Sequence, residues 1–139
     1  RFLGPLKYTA GAIESLLKTK KRKAKVIVND KVYEDNFWGA MICNTQFIGG
    51  GLLMARDAKV DDGIFEFFLI KNISRLKLIF LFIQLALKIP LSPSLVHIFK
   101  TTSVEIIPED SETINIDGDF MGNTPFKASI KPSSYDLIC

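Results

Sequence analysis

Short runs of alternating apolar and polar residues, each closed by a turn bearing Gly, Pro, Asp or Asn, recur along most of this chain. That rhythm leaves few folds open. Ala24-Lys25-Val26-Ile27-Val28 reads as a strand, Asn29-Asp30-Lys31 as a turn, and Val32-Tyr33-Glu34 as the returning arm of a hairpin. Residues 37–43 form a third strand, which carries the only tryptophan, Trp38. Residues 44–62 read as a long irregular stretch containing Gly49-Gly50-Gly51. Ile64-Phe65-Glu66-Phe67-Phe68-Leu69-Ile70 then holds enough apolar residues to be buried on both faces. An extended segment over 95–99 and strands over 103–107, 113–117, 126–130 and 134–139 complete the series. Tyr8, Ala12 and Leu16, with Ile13 and Leu17, share one side of a helix over 8–18 that Thr9 caps. The fold class is mainly β with α decoration: one antiparallel β-sandwich domain over 1–139 with two helices, an α+β arrangement.

The second helix follows the apolar strand. Asn72 or Ser74 caps it and Pro90 ends it. At helical spacing Ser74, Lys77, Gln84 and Lys88 fall on one narrow stripe that only Leu81 interrupts, and nearly every other residue is apolar. Such a helix is either buried over most of its circumference or lies in a lipid interface. It is too short, and too interrupted by Lys77 and Gln84, to span a bilayer.

Composition narrows the function classes. With 139 residues, 47% of them apolar and eleven phenylalanines, the chain can bury a real core and is not disordered. Its opening, Arg1-Phe2-Leu3-Gly4-Pro5, has no initiator methionine and no signal-like start, and reads as the continuation of something longer. Cys43 and Cys139 lie far apart without metal spacing; they read as reduced thiols of a cytosolic protein, with a disulfide left open. His97 is the single histidine, so a zinc site has almost no ligands. Lys18, Lys20, Lys21, Arg22, Lys23 and Lys25 supply six of the eighteen cations, which leaves the rest of the chain net acidic. A basic run on such a body suits an anionic membrane surface, phosphate groups or plain solvent. No aromatic residues interleave with it, which argues against nucleic acid.

Two turns hold carboxylates where chemistry needs them. In Ala58-Lys59-Val60-Asp61-Asp62-Gly63, adjacent aspartates before a glycine either bind a hard cation with help from main-chain carbonyls or cap the turn through its amides. In Ile114-Asn115-Ile116-Asp117-Gly118-Asp119, two carboxylates flank one glycine at a strand end. That pair is either a plain hairpin turn or an arrangement in which one acid serves structure and the other proton transfer.

Taken together, the asparagine-ended strand Met41-Ile42-Cys43-Asn44, the three glycines, Ala-x-x-Asp-Asp-Gly, the apolar strand, the apolar helix and Ile-Asn-Ile-Asp-Gly-Asp resemble one family. They are similar to the C-terminal domain of the diacylglycerol kinase family of lipid kinases, which includes the bacterial diacylglycerol kinases and the sphingosine and ceramide kinases. The resemblance covers nearly the whole chain. It implies that Asp119 is the general base on a lipid hydroxyl that attacks the γ-phosphate of ATP, with Asp117 as a supporting acid. Family members usually carry glutamate where this chain has Asp119, one methylene longer. The resemblance further implies a structural Mg2+ held by Asp62 with the backbone carbonyls of Lys59 and Ile64.

The family's nucleotide site lies in an N-terminal domain with a Gly-Gly-Asp-Gly-Thr motif, which does not occur here, nor does a P-loop. ATP is therefore expected to be bound mainly by that missing domain, and the 139 residues alone are expected not to turn over. The implied partners are a lipid substrate, the membrane surface at its cytoplasmic side and the nucleotide-binding domain, with a homodimer left open. The identity of the lipid stays open as well. The alternative reading is a non-catalytic β-sandwich module that binds lipid or protein.

Overall fold

The computed structural model describes residues 18–48, 51–116 and 119–131. The expected helix over 8–18 (apart from Lys18), the expected last strand and Cys139 lie outside those residues.

The first strand, β1 (Arg22–Val28), turns back into β2 (Lys31–Phe37) with Val28 opposite Lys31. Only Asn29 and Asp30 lie between, at φ 50° and 61°. Two residues at positive φ make the turn whose twist matches paired strands, and Asn and Asp tolerate that conformation better than most. The chain then changes layers at Trp38. Phe37 points into one core, whereas the Trp38 indole Nε1 donates to the Ile73 carbonyl at 2.8 Å in another part of the fold. The strand expected over 37–43 therefore starts at Gly39, as β3 (Gly39–Cys43). A short hairpin, β4 (Phe47–Ile48) with β5 (Leu52–Leu53), interrupts the stretch expected to be irregular.

β6 (Phe65–Ile70) is the centre of the fold, and all six of its residues are buried. It lies between β3 and β7 (Val96–Thr101) in a three-stranded antiparallel sheet. A period of two sends Phe65, Phe67 and Leu69 to one face and Glu66, Phe68 and Ile70 to the other. The first face packs against a four-stranded antiparallel sheet ordered β11-β8-β1-β2, where β8 is Ser103–Pro108 and β11 is Phe126–Ser129. Its partners there are Ala24, Val26, Val28, Phe37, Val104 and Ile106. Tyr33 of β2 meets Phe99 and His97 of β7 across the layers, with ring centroids 5.2 and 5.3 Å apart. The single histidine thus belongs to an aromatic cluster. β9 (Thr113–Ile116) and β10 (Asp119–Asn123) form a separate hairpin.

The second face of β6 is covered by a helix, α1 (Arg75–Ala86), through Leu78, Leu81 and Leu85 against Phe68, Ile70, Met54, Leu95 and Val96. Ser74 is its N-cap, its side chain accepting from the Lys77 amide. Asn72 is used elsewhere, accepting from Lys21 Nζ and donating to Asp35. At the other end Lys88 takes φ 56°, its amide donates to the Leu85 carbonyl, and the Ile89 amide donates to that of Gln84. These two bonds satisfy carbonyls that the last turn leaves orphaned, and Pro90 follows. The polar stripe of Ser74, Lys77, Gln84 and Lys88 is split by this packing. Gln84 is buried, bonded to the Pro90 carbonyl and the Ser92 amide, while Leu76, Phe80, Ile83 and Leu87 are exposed.

Across the three-stranded sheet, Cys43, Glu66 and Lys100 form one row of cross-strand neighbours. Burial, with a smaller push from Glu66, raises the Cys43 thiol to about 11, so at neutral pH it is an inert core sulfur. Glu66 is 6% exposed. Burial raises its pKa most; Lys100 opposes this, and Asp57 and Asp62 add to it.

Two outcomes are expected. Phe67 is fully buried between the layers, so Phe67→Ala should cost about 3–5 kcal/mol in urea unfolding, against less than about 0.5 kcal/mol for exposed Val32→Thr. Glu66 binds its proton more tightly folded than unfolded, so its contribution to stability is fully present below its unfolded pKa and is lost as pH rises through the folded value. Glu66→Gln should therefore melt higher than the parent at pH 8 and alike at pH 4 in scanning calorimetry.

Candidate functional site

The Asp119 hairpin is built from its base upward. In the β9–β10 pair Asp119 stands opposite Ile116 and Asn123 opposite Thr113. The ladder slips between Phe120 and Gly122, where Gly122 takes φ +126°, a conformation that side chains disfavour. At the base, the Thr124 amide donates to the Glu112 carbonyl and the Glu112 amide donates to Thr124 Oγ1, both at 2.8 Å. The Glu112 carboxylate forms an ion pair with Arg22, the first residue of β1. The hairpin is therefore anchored to the larger sheet by one cation of the basic run.

At its tip Asp119 is exposed, and its carboxylate has no hydrogen bond or ion pair among the described residues. Asp117 and Gly118 lie outside those residues. Ile116, Phe120 and Met121 around it are exposed as well. A cleft of about 1290 Å³ is lined on the hairpin side by Asn115, Ile116 and Met121, and Asp119 itself is not among its lining residues. Its lining also includes Trp38, Met41 and Phe126, together with Lys18, Lys20 and Arg22. An exposed carboxylate on a hairpin that borders a partly apolar cleft can take a proton from an amphiphile only where the substrate reaches beyond the cleft lining.

The candidate metal residues sit elsewhere. Residues 60–63 turn into β6, with Gly63 at φ +71°, and Asp62 Oδ1 accepts the Ile64 amide at 3.1 Å. One carboxylate oxygen thus caps the turn. Lys59 and Ile64, whose main-chain carbonyls are the other expected ligands, flank it in the sequence. Asp57 and Asp62 both push the Glu66 carboxyl upward, so this corner carries a negative field. Among the described residues no three His, Cys, Asp or Glu side chains come together as a metal cage. A hard divalent cation here would take one carboxylate, main-chain carbonyls and several waters, which is a fit for a partly hydrated Mg2+. None of residues 57–66 lines the cleft beside Asp119, so the structure keeps the two candidate sites apart.

Arg22, Glu112 and Trp38 carry the hairpin and the cleft wall without any local sequence signal. The ion pair joins positions 90 residues apart, and alternation along a strand says nothing about such partners.

Known proteins share this architecture. A Bacillus subtilis (strain 168) protein named "Putative lipid kinase YtlR" is 29% identical over 96 residues, covering 69% of this chain and 31% of that protein. The chain thus spans about a third of that relative's length. A crystal structure from Bacillus anthracis str. Sterne, described as a "putative diacylglycerol kinase", superposes with TM-score 0.74 at 22% identity, over 94% of this chain and 43% of that one. Another from the same strain, described as "a diacylglycerol kinases" structure, gives TM-score 0.61 at 19% identity, over 88% of this chain and 47% of that one. At such identities the superpositions show a shared fold. The model of the YegS C-terminal NAD kinase beta sandwich-like domain matches residues 1–139, and the chain belongs to that family.

Proposed function

We propose that this chain is the substrate-side, C-terminal domain of an ATP-dependent lipid kinase, with Asp119 as the base that takes the hydroxyl proton of a lipid such as diacylglycerol. The observation that carries this reading is the exposed, unengaged Asp119 carboxylate on a hairpin whose neighbours line an apolar-walled cleft. Family membership and the names of the relatives point the same way.

In this reading the lipid's tail lies against the cleft walls and its hydroxyl reaches Asp119. As the hydroxyl oxygen bonds to the γ-phosphorus of ATP and the bond to the β-phosphate oxygen breaks, the hydroxyl proton passes to the Asp119 carboxylate and ADP leaves. Phosphoryl transfer asks the protein for positioning and charge neutralisation, so a single well-held base suffices on the acceptor side. Arg22 positions that base by pairing with Glu112 at the hairpin root. Asp117 supports Asp119 across Gly118. ATP is held mainly by a separate nucleotide-binding domain, and the protein works at the cytoplasmic membrane surface as a peripheral enzyme. Asp62 and the carbonyls of Lys59 and Ile64 would hold a partly hydrated Mg2+, which would supply positive charge at the turn into β6.

The test uses the full-length protein with ATP and diacylglycerol in detergent micelles. Asp119→Asn should lower kcat by about 10²–10⁴-fold with little change in the lipid KM, and Asp119→Glu should retain most of the rate. Turnover of Asp119→Asn near the parent rate would favour the non-catalytic binding module instead. For the cation, millimolar Mg2+ should raise the melting temperature of the parent and leave that of Asp62→Asn unchanged; equal shifts in both would remove Asp62 from the site.

A further inference from the structure

The geometry points to the outward face of α1, with the cations at its two ends, as the surface on which this protein rests on an anionic lipid bilayer. Leu76, Phe80, Ile83 and Leu87 are 80, 53, 47 and 65% exposed. Their spacing of four, three and four places them in one continuous line along the helix. Each is apolar, on an element whose opposite side already fills the core. A helix that buries one face and still presents a row of large apolar side chains on the other is amphipathic toward something besides water.

Charge complementarity selects the occupant. No acidic residue occurs between Glu66 and Glu105, whereas Lys71, Arg75, Lys77 and Lys88 do. Trp38 draws the basic run to the same end of the helix: Lys21 Nζ and the Arg75 guanidinium lie 5.3 and 5.2 Å from its ring centroid. Arg75 also donates to the Thr19 carbonyl at 3.3 Å. An apolar line with cations at its ends, and with Asp35 held by Asn72 beside Lys21 as an acid near its start, fits headgroup phosphates above acyl chains. A protein partner is a poorer fit, because protein–protein interface cores are depleted in lysine. The Trp38 ring also lines the cleft beside Asp119, so a bilayer at this face stands next to the cleft.

This inference rests on the peripheral-membrane part of the proposed function, and its test separates the two. Co-sedimentation of the full-length protein is measured with phosphatidylcholine vesicles, with and without phosphatidylglycerol, at low and high salt. The parent should bind the anionic vesicles and release them at high salt. The variant with Leu76→Gln, Phe80→Gln and Ile83→Gln should bind about tenfold or more weakly. Lys77→Gln and Lys88→Gln should each cost about fivefold on anionic vesicles and nothing on neutral ones. Phe80→Cys, labelled with a polarity-sensitive dye and otherwise conservative, should brighten on anionic vesicles even where the triple variant folds poorly. The proposal is overturned by an unmoved dye, by parent-like binding of the folded triple variant, or by a parent dimer that the triple substitution splits, which would show that a second copy covers the face. Turnover of a water-soluble short-chain diacylglycerol reads the phosphotransfer function alone, and the triple variant should keep it.

Discussion

Burial of Phe65–Ile70 on both faces is the constraint on which the rest of the structure depends. A strand has two sides, and six consecutive buried residues need two covers. The β11-β8-β1-β2 sheet supplies one and α1 supplies the other. Neither cover is optional, because phenylalanines stand on both sides, and each fully buried one is worth about 1.5–3 kcal/mol of transfer free energy. The one ionisable residue in the run, Glu66, sits near the strand's start, between Cys43 and Lys100 and close to the Asp62 turn. Burial there pushes its pKa upward, and the facing Lys100 offsets part of that push.

Strand positions were readable wherever alternation and a turn residue agreed. β1, its turn and β2 follow from Val26 and Val28 facing one way and from Asn29 and Asp30 accepting positive φ. The double burial of β6 followed from its unbroken apolar run. The layer change at Trp38 did not, because only Gly39 interrupts the apolar residues from Phe37 to Met41; the tryptophan's distant partner, Ile73, reveals that the strand ends there.

The helix inverted the usual reading of polar spacing. Gln84 would ordinarily mark a wet face, yet it is buried because the loop after the helix folds over it and meets both ends of its amide. A buried amide needs such partners, and they come from Pro90 and Ser92, which no helical wheel includes. Core packing and an outward apolar face, opposed as alternatives by hydropathy alone, therefore coexist on opposite sides of one helix. At the candidate site the sequence supplied the residues and not their setting. Asp119 and Asp62 were visible as acids beside glycines, but one carboxylate is exposed and has no partner among the described residues while the other caps its own turn. Asp62 precedes its glycine and Asp119 follows its own, and neither order by itself says which carboxylate the fold engages.

The basic run shows why net charge is a weak guide to a surface. Read as composition it is six cations suited to solvent, yet its members hold separate posts once the strand forms. Lys21 lies over Trp38, Arg22 holds the root of the Asp119 hairpin, and Lys23 faces Glu109. The chain's acids are meanwhile withdrawn from 67–104 and gathered partly near the Asp62 turn, where Asp57 and Asp62 act on Glu66. Screening confines surface fields to about 8 Å in physiological salt, so an approaching bilayer or cation senses only this local segregation. A formal charge of +3 spread evenly would attract neither an anionic surface nor a divalent ion. Distributed as it is, the charge leaves residues 67–104 without an acid and sets Asp57 and Asp62 to act on Glu66 beside the turn before β6.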